Sequence, residues 1–322
     1  MTFDLNWSED QRQICDAAAS MLATHYPVGR LRNSRHDDLS SIAEFGGFTL
    51  AFPEEQGGTG FTPVEEALLH VLLGRHLIST RALATALALR LAHHVSLSNI
   101  AESPVCVAVP NEHSILFIEP EKARLALIFT GRSLKLATLD GLAFEPVKGL
   151  GDGVPLGSAH AGDVSILHET HAPEIMALVD LLVSAQLLGI AEGARDLAVS
   201  YARIRHQFGK PIGAFQAIKH HCATMAVETE MLSSLLDMAA IALAGKHADA
   251  EFQLAALRRL APKVALANAR TSIQIHGGIG FSDEADAHHF LKQAHILSRL
   301  GSGAAILDLP APLAPHRKNE EA

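Results

Sequence analysis

The chain has 322 residues, of which 48% are apolar and 19% are charged, and its formal net charge is −9. This composition supports a large packed core and excludes a chain that is disordered throughout. Because an acidic chain lacks the concentrated Lys and Arg that bind nucleic-acid phosphates, we expect no nucleic-acid partner.

The first segment, residues 1–103, has the patterns of a helical domain. Ser8 and Gln11 fit a capping box at one helix start, and Thr62 and Glu65 fit a second one. The two predicted helices are separated by a loop, Phe52–Gly60, with the sequence FPEEQGGTG. The predicted domain is therefore all helical.

Several features argue against secretion and against a membrane. The first residues are acidic where a signal peptide would be basic, and no uninterrupted apolar run reaches the length of a membrane span. The three cysteines are far apart and form no CxxC pair, so we expect reduced and mostly buried thiols at Cys15, Cys106 and Cys222. We therefore expect a cytoplasmic protein without membrane contact.

The second segment, residues 104–170, predicts a small β domain. Short apolar runs alternate with Gly, Pro and Asn-Glu turns, as in strands joined by tight connections. The predicted strands are Val105–Val109, Ser114–Ile118, Leu125–Thr130, Leu134–Leu139 and Asp163–Leu167.

The third segment, residues 171–306, returns to helical spacing of apolar residues. We expect long helices near Glu174–His206, Phe215–Gly245, Glu251–Ile275 and Glu284–Leu300. Pro262 is expected to kink or offset the third of these. Residues 307–322, which are Pro-rich and then charged, are expected to form a mobile tail. The predicted fold class is mainly α with a small β lobe.

Two short clusters in the third segment carry residues suited to a phosphorylated ligand. In the first, Arg205 precedes the turn Phe208–Gly209, and Gln216 stands at the head of the next predicted helix. A guanidinium in that place can hold a diphosphate with two parallel hydrogen bonds. Taken alone, the cluster is equally compatible with solvated basic residues at an ordinary connection between helices.

The second cluster is Gln274–Phe281, with the sequence QIHGGIGF. The pair Gly277 and Gly278 permits positive φ and lets backbone amides approach a ligand closely. A Gly pair after a helix is also the usual form of a helix C-cap, and this second interpretation is the more common one for a lone Gly pair.

Together and in this order, the motifs resemble those of the acyl-CoA dehydrogenase family over nearly the whole chain. The resemblance rests on the FPEEQGGTG loop, the RxxFGxxIxxFQ stretch, the QxxGGxGF stretch and the helical–β–helical order. It implies an N-terminal helical domain, a middle β domain and a C-terminal four-helix bundle. It also implies FAD as the cofactor and an acyl-CoA thioester as the substrate, with an electron-transferring flavoprotein as candidate electron acceptor.

The same resemblance assigns residues to the cofactor. The Arg and Gln of the first stretch hold the diphosphate and adenosine side of FAD in such proteins, and the Gln and Gly-Gly of the second approach the same cofactor, commonly from a neighbouring subunit. The implied FAD-binding residues, placed across a helical interface, are Arg205, Phe208, Gln216, Gln274, Gly277 and Gly278.

The catalytic base of the family is missing from its expected places. Family members remove the α-proton of the thioester with a Glu, and aligning Gly301-Ser302 with the family's Gly-Thr puts Leu300 at that position. Relatives that carry the Glu on the long helix before RxxFG would have it near Val179 and Asp180. Asp180 is a candidate base, but its place on the helix is about a quarter turn away from the family's Glu. A solvated or capping Asp is the alternative interpretation.

The middle domain is also reduced relative to the family. The counterpart of the family's Thr-Glu-Pro motif reads Ala108–His113, and the single Trp of the chain, Trp7, lies near the N-terminus. The half of the site that would hold the flavin ring is thus incomplete, whereas the adenine half is kept. The chain resembles the smaller, Glu-lacking subunits of heteromeric acyl-CoA dehydrogenases, some of which act on steroid side-chain thioesters.

Three functional hypotheses remain open from the sequence. The first is a subunit of a homo- or hetero-oligomer with an acyl-CoA dehydrogenase-like partner, acting in fatty acid or steroid side-chain degradation. The second is a self-sufficient flavoenzyme that uses Asp180 or, like flavin monooxygenases of similar fold, no base. The third is a scaffold that has lost the cofactor. We expect no metal site, because none of the histidine groups shows metal-ligand spacing (His93-His94, His220-His221, His288-His289, His276 and His295).

Overall fold

The computed structural model describes residues 6–33, 38–95, 104–149 and 154–301. The first region is helical, with α1 (Glu9–His25), α2 (Ser40–Glu44), α3 (Pro63–Arg75) and α4 (Thr80–Val95). Both predicted capping boxes are present, one at Ser8 and one at Thr62. The expected tail, residues 307–322, lies outside the described residues.

The FPEEQGGTG loop is anchored to helices α3 and α4. Phe52 is buried, and the Arg90 guanidinium lies 4.4 Å from the centre of its ring. Arg90 also pairs with the buried Glu66 carboxylate at 2.8 Å. Burial raises the pKa of Glu66, and the nearby Arg90 opposes that shift. Gly58 is required by close packing, because a Cβ there would lie 2.1 Å from the Phe52 carbonyl oxygen.

Seven strands of the described residues form one sheet in the order β5-β6-β2-β1-β3-β4-β7. The pair β1 and β3 is parallel and the other neighbours are antiparallel. The strands are β1 (Val105–Asn111), β2 (Ser114–Ile118), β3 (Leu125–Phe129), β4 (Leu134–Thr138), β5 (Glu145–Val147), β6 (Leu156–His160) and β7 (Ser165–Thr170).

Two of these strands, β5 and β6, were missed by the sequence analysis. Strand β5 is an exposed edge strand with a central Pro, and β6 has the sequence LGSAH, which is poor in β-branched residues. Both are strands because β2 provides a hydrogen-bonding edge for β6, which in turn pairs with β5. The predicted strand Asp163–Leu167 begins later, at Ser165, because Ala161–Asp163 forms a 3-10 turn.

The third region consists of four long helices, as predicted: α5 (Pro173–Ile204), α6 (Gln216–Ala244), α7 (Ala250–His276) and α8 (Ala287–Leu297). Helix α7 runs without a break through Pro262. Short connections make α5 and α7 parallel to each other and antiparallel to α6. The large core extends from this bundle to α3, α4 and the facing side of the sheet.

Helices α3 and α5 approach each other closely enough that glycine is needed at the crossing. A Cβ at Gly189 would lie 1.9 Å from the Val71 carbonyl oxygen, and one at Gly74 would lie 2.1 Å from the Gln186 carbonyl oxygen. The crossing therefore locks the first region against the bundle at backbone contact.

Among the described residues, helix α5 is long and apolar enough to cross a membrane by length and composition, although its apolar sequence is interrupted by charged residues such as Asp180. However, 83% of its most apolar window is buried inside the fold. Its apolar character is therefore accounted for by its central place in the bundle, where it contacts α3, α6, α7 and α8.

Candidate functional site

The two sequence clusters lie at the same end of the bundle, which we call the open end. Arg205 follows the last residue of α5, and Gln216 begins α6. Helix α7 ends at His276, whose ring stacks on Tyr201 of α5 with ring centres 4.2 Å apart. His276 Nδ1 also lies 2.7 Å from the Ser272 carbonyl oxygen. The histidine therefore packs within the chain and joins the two clusters.

The turn Phe208–Gly209 connects two short strands, β8 (His206–Gln207) and β9 (Lys210–Pro211). Both turn residues have positive φ, 52° and 78°, as a type I′ hairpin requires. This conformation is uncommon for a Phe, and the side chain is 92% exposed. It touches Phe215 only edge-on, with ring centres 6.2 Å apart. A strained backbone that presents an exposed ring is a mark of a functional surface.

Arg205 and Gln216 are both exposed, and among the described residues Arg205 forms no ion pair. The N-cap position of α6, Phe215, makes no side-chain hydrogen bond to the first turn. The first amides of α6 are therefore available, and the helix dipole favours an anion there. A guanidinium and free amides at one point suit a diphosphate.

Gln274, Gly277 and Gly278 form an exposed corner at the end of α7. Gly277 has φ 67° and ψ −146°, a region open essentially to glycine alone. A Cβ at Gly277 or Gly278 would meet nothing within 4 Å, so the space beside both residues is open. The corner therefore leaves room for a ligand or a partner chain, and the chain itself does not fill it.

Large apolar side chains surround these polar groups and remain exposed. We call them the open-end patch: Ile204, Phe208, Ile279 and Phe281. Phe208 and Phe281 are the most exposed, at 92% and 75%. A cluster of exposed large apolar residues around polar groups is typical of a protein–protein contact.

The opposite end of the bundle, which we call the closed end, contains the two expected places of the base. Leu300 is fully buried. Asp180 is nearly buried, and its carboxylate pairs with Arg258 Nε at 3.2 Å. Arg258 Nη2 also donates to the Leu300 carbonyl oxygen. Burial lowers the pKa of Arg258, and Asp180 opposes that shift.

The Asp180–Arg258 pair lies directly beneath Gly301. A Cβ at that glycine, which has φ 94°, would lie 2.6 Å from both Asp180 Oδ1 and Arg258 Nε. The pair thus occupies the space that a longer side chain at residue 301 would use. Because its carboxylate is paired with Arg258 inside the fold, Asp180 is a poor candidate for a catalytic base. The remaining positions of this loop, Ser302 and Gly303, lie outside the described residues.

The open and closed ends are far apart within one chain. Asp180 and Arg205 lie near opposite ends of α5, about 37 Å apart at the rise of an α-helix. The structure therefore places the six cofactor candidates at one end of the bundle and Asp180 near the other.

A pocket of about 180 Å³ lies between the sheet and α8, and we call it the sheet–α8 pocket. Its walls are mainly apolar and come from β1, β2, β6 and Ile296. Lys292, His295 and Arg299 add basic groups from the α8 side, and neither Asp180 nor Leu300 lines it. No acidic side chain lines this pocket among the described residues.

Other predicted features can be placed as well. Cys106 is buried, whereas Cys15 and Cys222 are partly exposed, so the expectation of mostly buried thiols is wrong for two of the three. Within the described part of the chain, no three His, Cys, Asp or Glu side chains come together as metal ligands. The side chains of His93 and His94 lie outside the described residues.

Sequence reasoning missed Arg258 and the basic face of α8. Arg258 stands beside Arg259 in α7, and nothing in that dipeptide indicates which of the two pairs with Asp180. On α8, the spacing of Lys292, His295 and Arg299 could have indicated a shared face, because residues three and four apart are neighbours on a helix. The apolar wall opposite them could not be read from the sequence.

Comparison with known proteins gives a family match in the bundle. Residues 179–305 match the model of the acyl-CoA dehydrogenase C-terminal domain. This range begins on α5 and includes the predicted cofactor residues and Leu300.

Two relatives from Mycobacterium tuberculosis differ in how much of their length is shared. Acyl-CoA dehydrogenase FadE34 is 36% identical over 163 residues, which are 48% of this chain and 22% of that protein. Acyl-CoA dehydrogenase IpdE2 is 27% identical over 299 residues, 89% of this chain and 91% of that protein. The chain thus spans less than a quarter of FadE34 but nearly all of IpdE2.

Solved structures share the fold along most of the chain. A variant of the Tcur3481-Tcur3483 steroid ACAD has a TM-score of 0.74 at 22% identity, covering 92% of this chain and 95% of that one. The ChsE4-ChsE5 complex from Mycobacterium tuberculosis has a TM-score of 0.73 at 19% identity, covering 92% and 93%. PigA with FAD and proline has a TM-score of 0.73 at 18% identity, covering 94% and 96%.

The helical–β–helical order, the bundle with its two motif clusters and these matches agree with one another. The bundle, residues 179–305, matches the acyl-CoA dehydrogenase C-terminal domain, and the chain as a whole is similar to acyl-CoA dehydrogenases in sequence and in fold.

Proposed function

We propose that the chain is the Glu-lacking subunit of a heteromeric acyl-CoA dehydrogenase and completes an FAD site at its interface with a catalytic subunit. The observation that carries this proposal is the separation of about 37 Å between the open end and the place of the missing base. The cofactor candidates can therefore serve only a reaction centre that another chain provides.

The open end fits the diphosphate and adenosine side of FAD. Arg205 would pair with the diphosphate, and the first amides of α6 and Gln216 would add hydrogen bonds. Gln274, Gly277 and Gly278 would allow close approach, since the space beside both glycines is open. Phe208 would cover the cofactor from the hairpin. When bound, FAD would supply the acceptor for the hydride from the β-carbon of the acyl group.

The closed end supports the absence of a base in this chain. Leu300 has no proton-accepting side chain, and the Asp180 carboxylate is held by Arg258. The sheet–α8 pocket has no acidic lining residue among the described residues. The α-proton would therefore be removed by a carboxylate of the partner, as general base catalysis at carbon requires.

A heteromeric partner is supported by the surface and by the neighbours. The open-end patch exposes large apolar side chains around the polar groups, as expected of a surface that another chain covers. Two structural neighbours each combine two different proteins, Tcur3481 with Tcur3483 and ChsE4 with ChsE5. The former is a steroid ACAD, which supports a steroid-derived acyl group as the substrate class of this chain.

The test is to purify the chain alone and together with a co-expressed acyl-CoA dehydrogenase-like subunit, and to measure flavin absorbance per chain. We expect flavin in the complex only, at less than one per chain, and a 2-enoyl thioester as product. Arg205→Gln should lower the flavin content of the complex at least about tenfold, because a charge-assisted contact is lost. The matched control is Arg203→Gln, which changes an exposed arginine two residues earlier.

Two results would contradict the proposal. Stoichiometric flavin in the lone chain would show that a partner is not needed, and an oxygenated product would indicate monooxygenase chemistry. Equal flavin loss in the Arg203→Gln and Arg205→Gln variants would show that Arg205 has no special part in binding.

A further inference from the structure

The sheet–α8 pocket has a charge pattern that the proposed function does not use. Its apolar wall is built from paired residues on three neighbouring strands. Val109 is opposite Leu116 across β1 and β2, and Ile118 is opposite Leu156 across β2 and β6. All four side chains line the pocket. A continuous apolar wall of this kind favours a ligand with a hydrocarbon part.

Helix α8 closes the pocket and has two different faces. Phe290, Ala294 and Leu297 are buried in the core. Lys292, His295 and Arg299 line the pocket together, at spacings of three and four residues that place them on one face of the helix. His295 and Arg299 are exposed, so this basic face reaches the pocket mouth.

The mouth of the sheet–α8 pocket is lined by basic side chains, although the chain as a whole is acidic. The protein as a whole carries −9, yet the pocket is lined by Lys292, Arg299 and a histidine without any acidic side chain among the described residues. Among those residues His295 and Arg299 form no ion pair. An anionic group at the mouth would therefore be attracted, and Arg299 could hold a carboxylate with two hydrogen bonds.

We propose that the sheet–α8 pocket binds a small apolar carboxylate, with its hydrocarbon part against the strand wall and its carboxylate beside Arg299. The volume of about 180 Å³ suits one short acyl chain and not a nucleotide. In a CoA thioester the group next to the acyl chain is neutral. Because the phosphates of CoA would also be attracted to a basic mouth, CoA is the competitor that distinguishes a carboxylate site from a phosphate site. Neither Asp180 nor Leu300 lines the pocket, so it is separate from the expected place of the base.

The test is calorimetric titration of the lone chain with octanoate and with octanamide, its neutral isostere. We expect octanoate to bind at least about tenfold more tightly at pH 7.5, because only octanoate carries the charge. Arg299→Gln should lower octanoate affinity towards that of octanamide, because the bidentate partner of the carboxylate is lost, and should leave octanamide affinity unchanged. The matched control, Arg270→Gln, removes an exposed arginine of α7 outside the pocket and should change neither affinity.

A second variant tests the apolar wall. Leu116→Asp, at a half-buried position, should weaken both probes, and a far-UV spectrum would verify that it folds. Equal affinity for the two probes, or no binding of either at millimolar concentration, would overturn the proposal. So would displacement of octanoate by CoA alone, since that would define a phosphate site. If Arg299→Gln lowers only the melting temperature, the basic residues serve the C-terminal end of α8 and not a ligand.

Discussion

The open and closed ends of the bundle differ in the environment of their polar residues, which are exposed at the open end and paired inside the fold at the closed end. At the open end Arg205, Gln216 and Gln274 point to solvent, and the chain leaves the space beside Gly277 empty. At the closed end Asp180 and Arg258 satisfy each other inside the fold, beneath Gly301. The polar groups of the open end are therefore available to a ligand or a partner chain. Those of the closed end are already paired with each other. This difference supports the proposal that ligand binding and chemistry are divided between chains.

The largest effect is expected from breaking the closed end. Arg258→Met would leave the nearly buried Asp180 carboxylate without its cation, and we expect a loss of about 3–5 kcal/mol in the free energy of unfolding. Urea unfolding measures this directly. Arg259→Met, at the exposed neighbouring position, is the control and should cost little. The double variant Asp180→Leu/Arg258→Met should recover much of the loss, and strict additivity of the two changes would contradict the pairing.

Backbone conformation at the open end gives the next largest effect. Gly277→Ala should lower the free energy of unfolding by about 1–3 kcal/mol, because φ 67° with ψ −146° is strained for any residue with a Cβ. Gly278→Ala, where φ is not positive and the space is open, should change it by less than about 0.5 kcal/mol. Thermal unfolding of both variants tests this, and equal shifts would mean that the strain at Gly277 is overstated.

A Phe208 variant should affect association with the partner chain much more than the folding stability of the lone chain. Its side chain is 92% exposed, so Phe208→Ala should change the unfolding of the lone chain by less than about 1 kcal/mol. In the proposed complex the same change should weaken association at least about tenfold, since exposed aromatic residues often become hot spots. Sedimentation velocity of the co-purified complex measures the second effect. Leu167→Ala, an exposed apolar residue on β7, is the control and should leave association unchanged.

The smallest expected effect concerns pH. Burial, with a contribution from Glu230, raises the pKa of Asp237 on α6 to about 6. The folded state therefore holds this proton more tightly than the unfolded state, so its contribution to stability falls as pH rises from about 4 to 6. Asp237→Asn should raise the free energy of unfolding by about 1 kcal/mol at pH 7.5, after allowance for partial exposure, and by little at pH 4. Asp163→Asn, an exposed position, is the control, and a gain that is equal at both pH values would contradict the assignment.

Local patterns predicted the helices well because the determinants are near in sequence. The capping boxes at Ser8 and Thr62 and the apolar spacing of α5, α6 and α7 placed those elements within a few residues. Strands β5 and β6 were missed because their formation depends on the edge of β2, which is distant in sequence. The fold class follows from the first kind of signal, so it was predictable.

The sequence by itself carried the family resemblance, and that resemblance implied which residues of the Arg, Gln and Gly-Gly clusters would bind FAD. It also determined that Leu300 stands where the family's Glu is expected. Only the tertiary structure decided that Asp180 is paired with Arg258, that both clusters share one end of the bundle, and that Leu300 is buried beside that ion pair near the other end. The reason is physical: a motif is a local property of the chain, whereas an ion pair, a shared end and a distance depend on how separate helices pack.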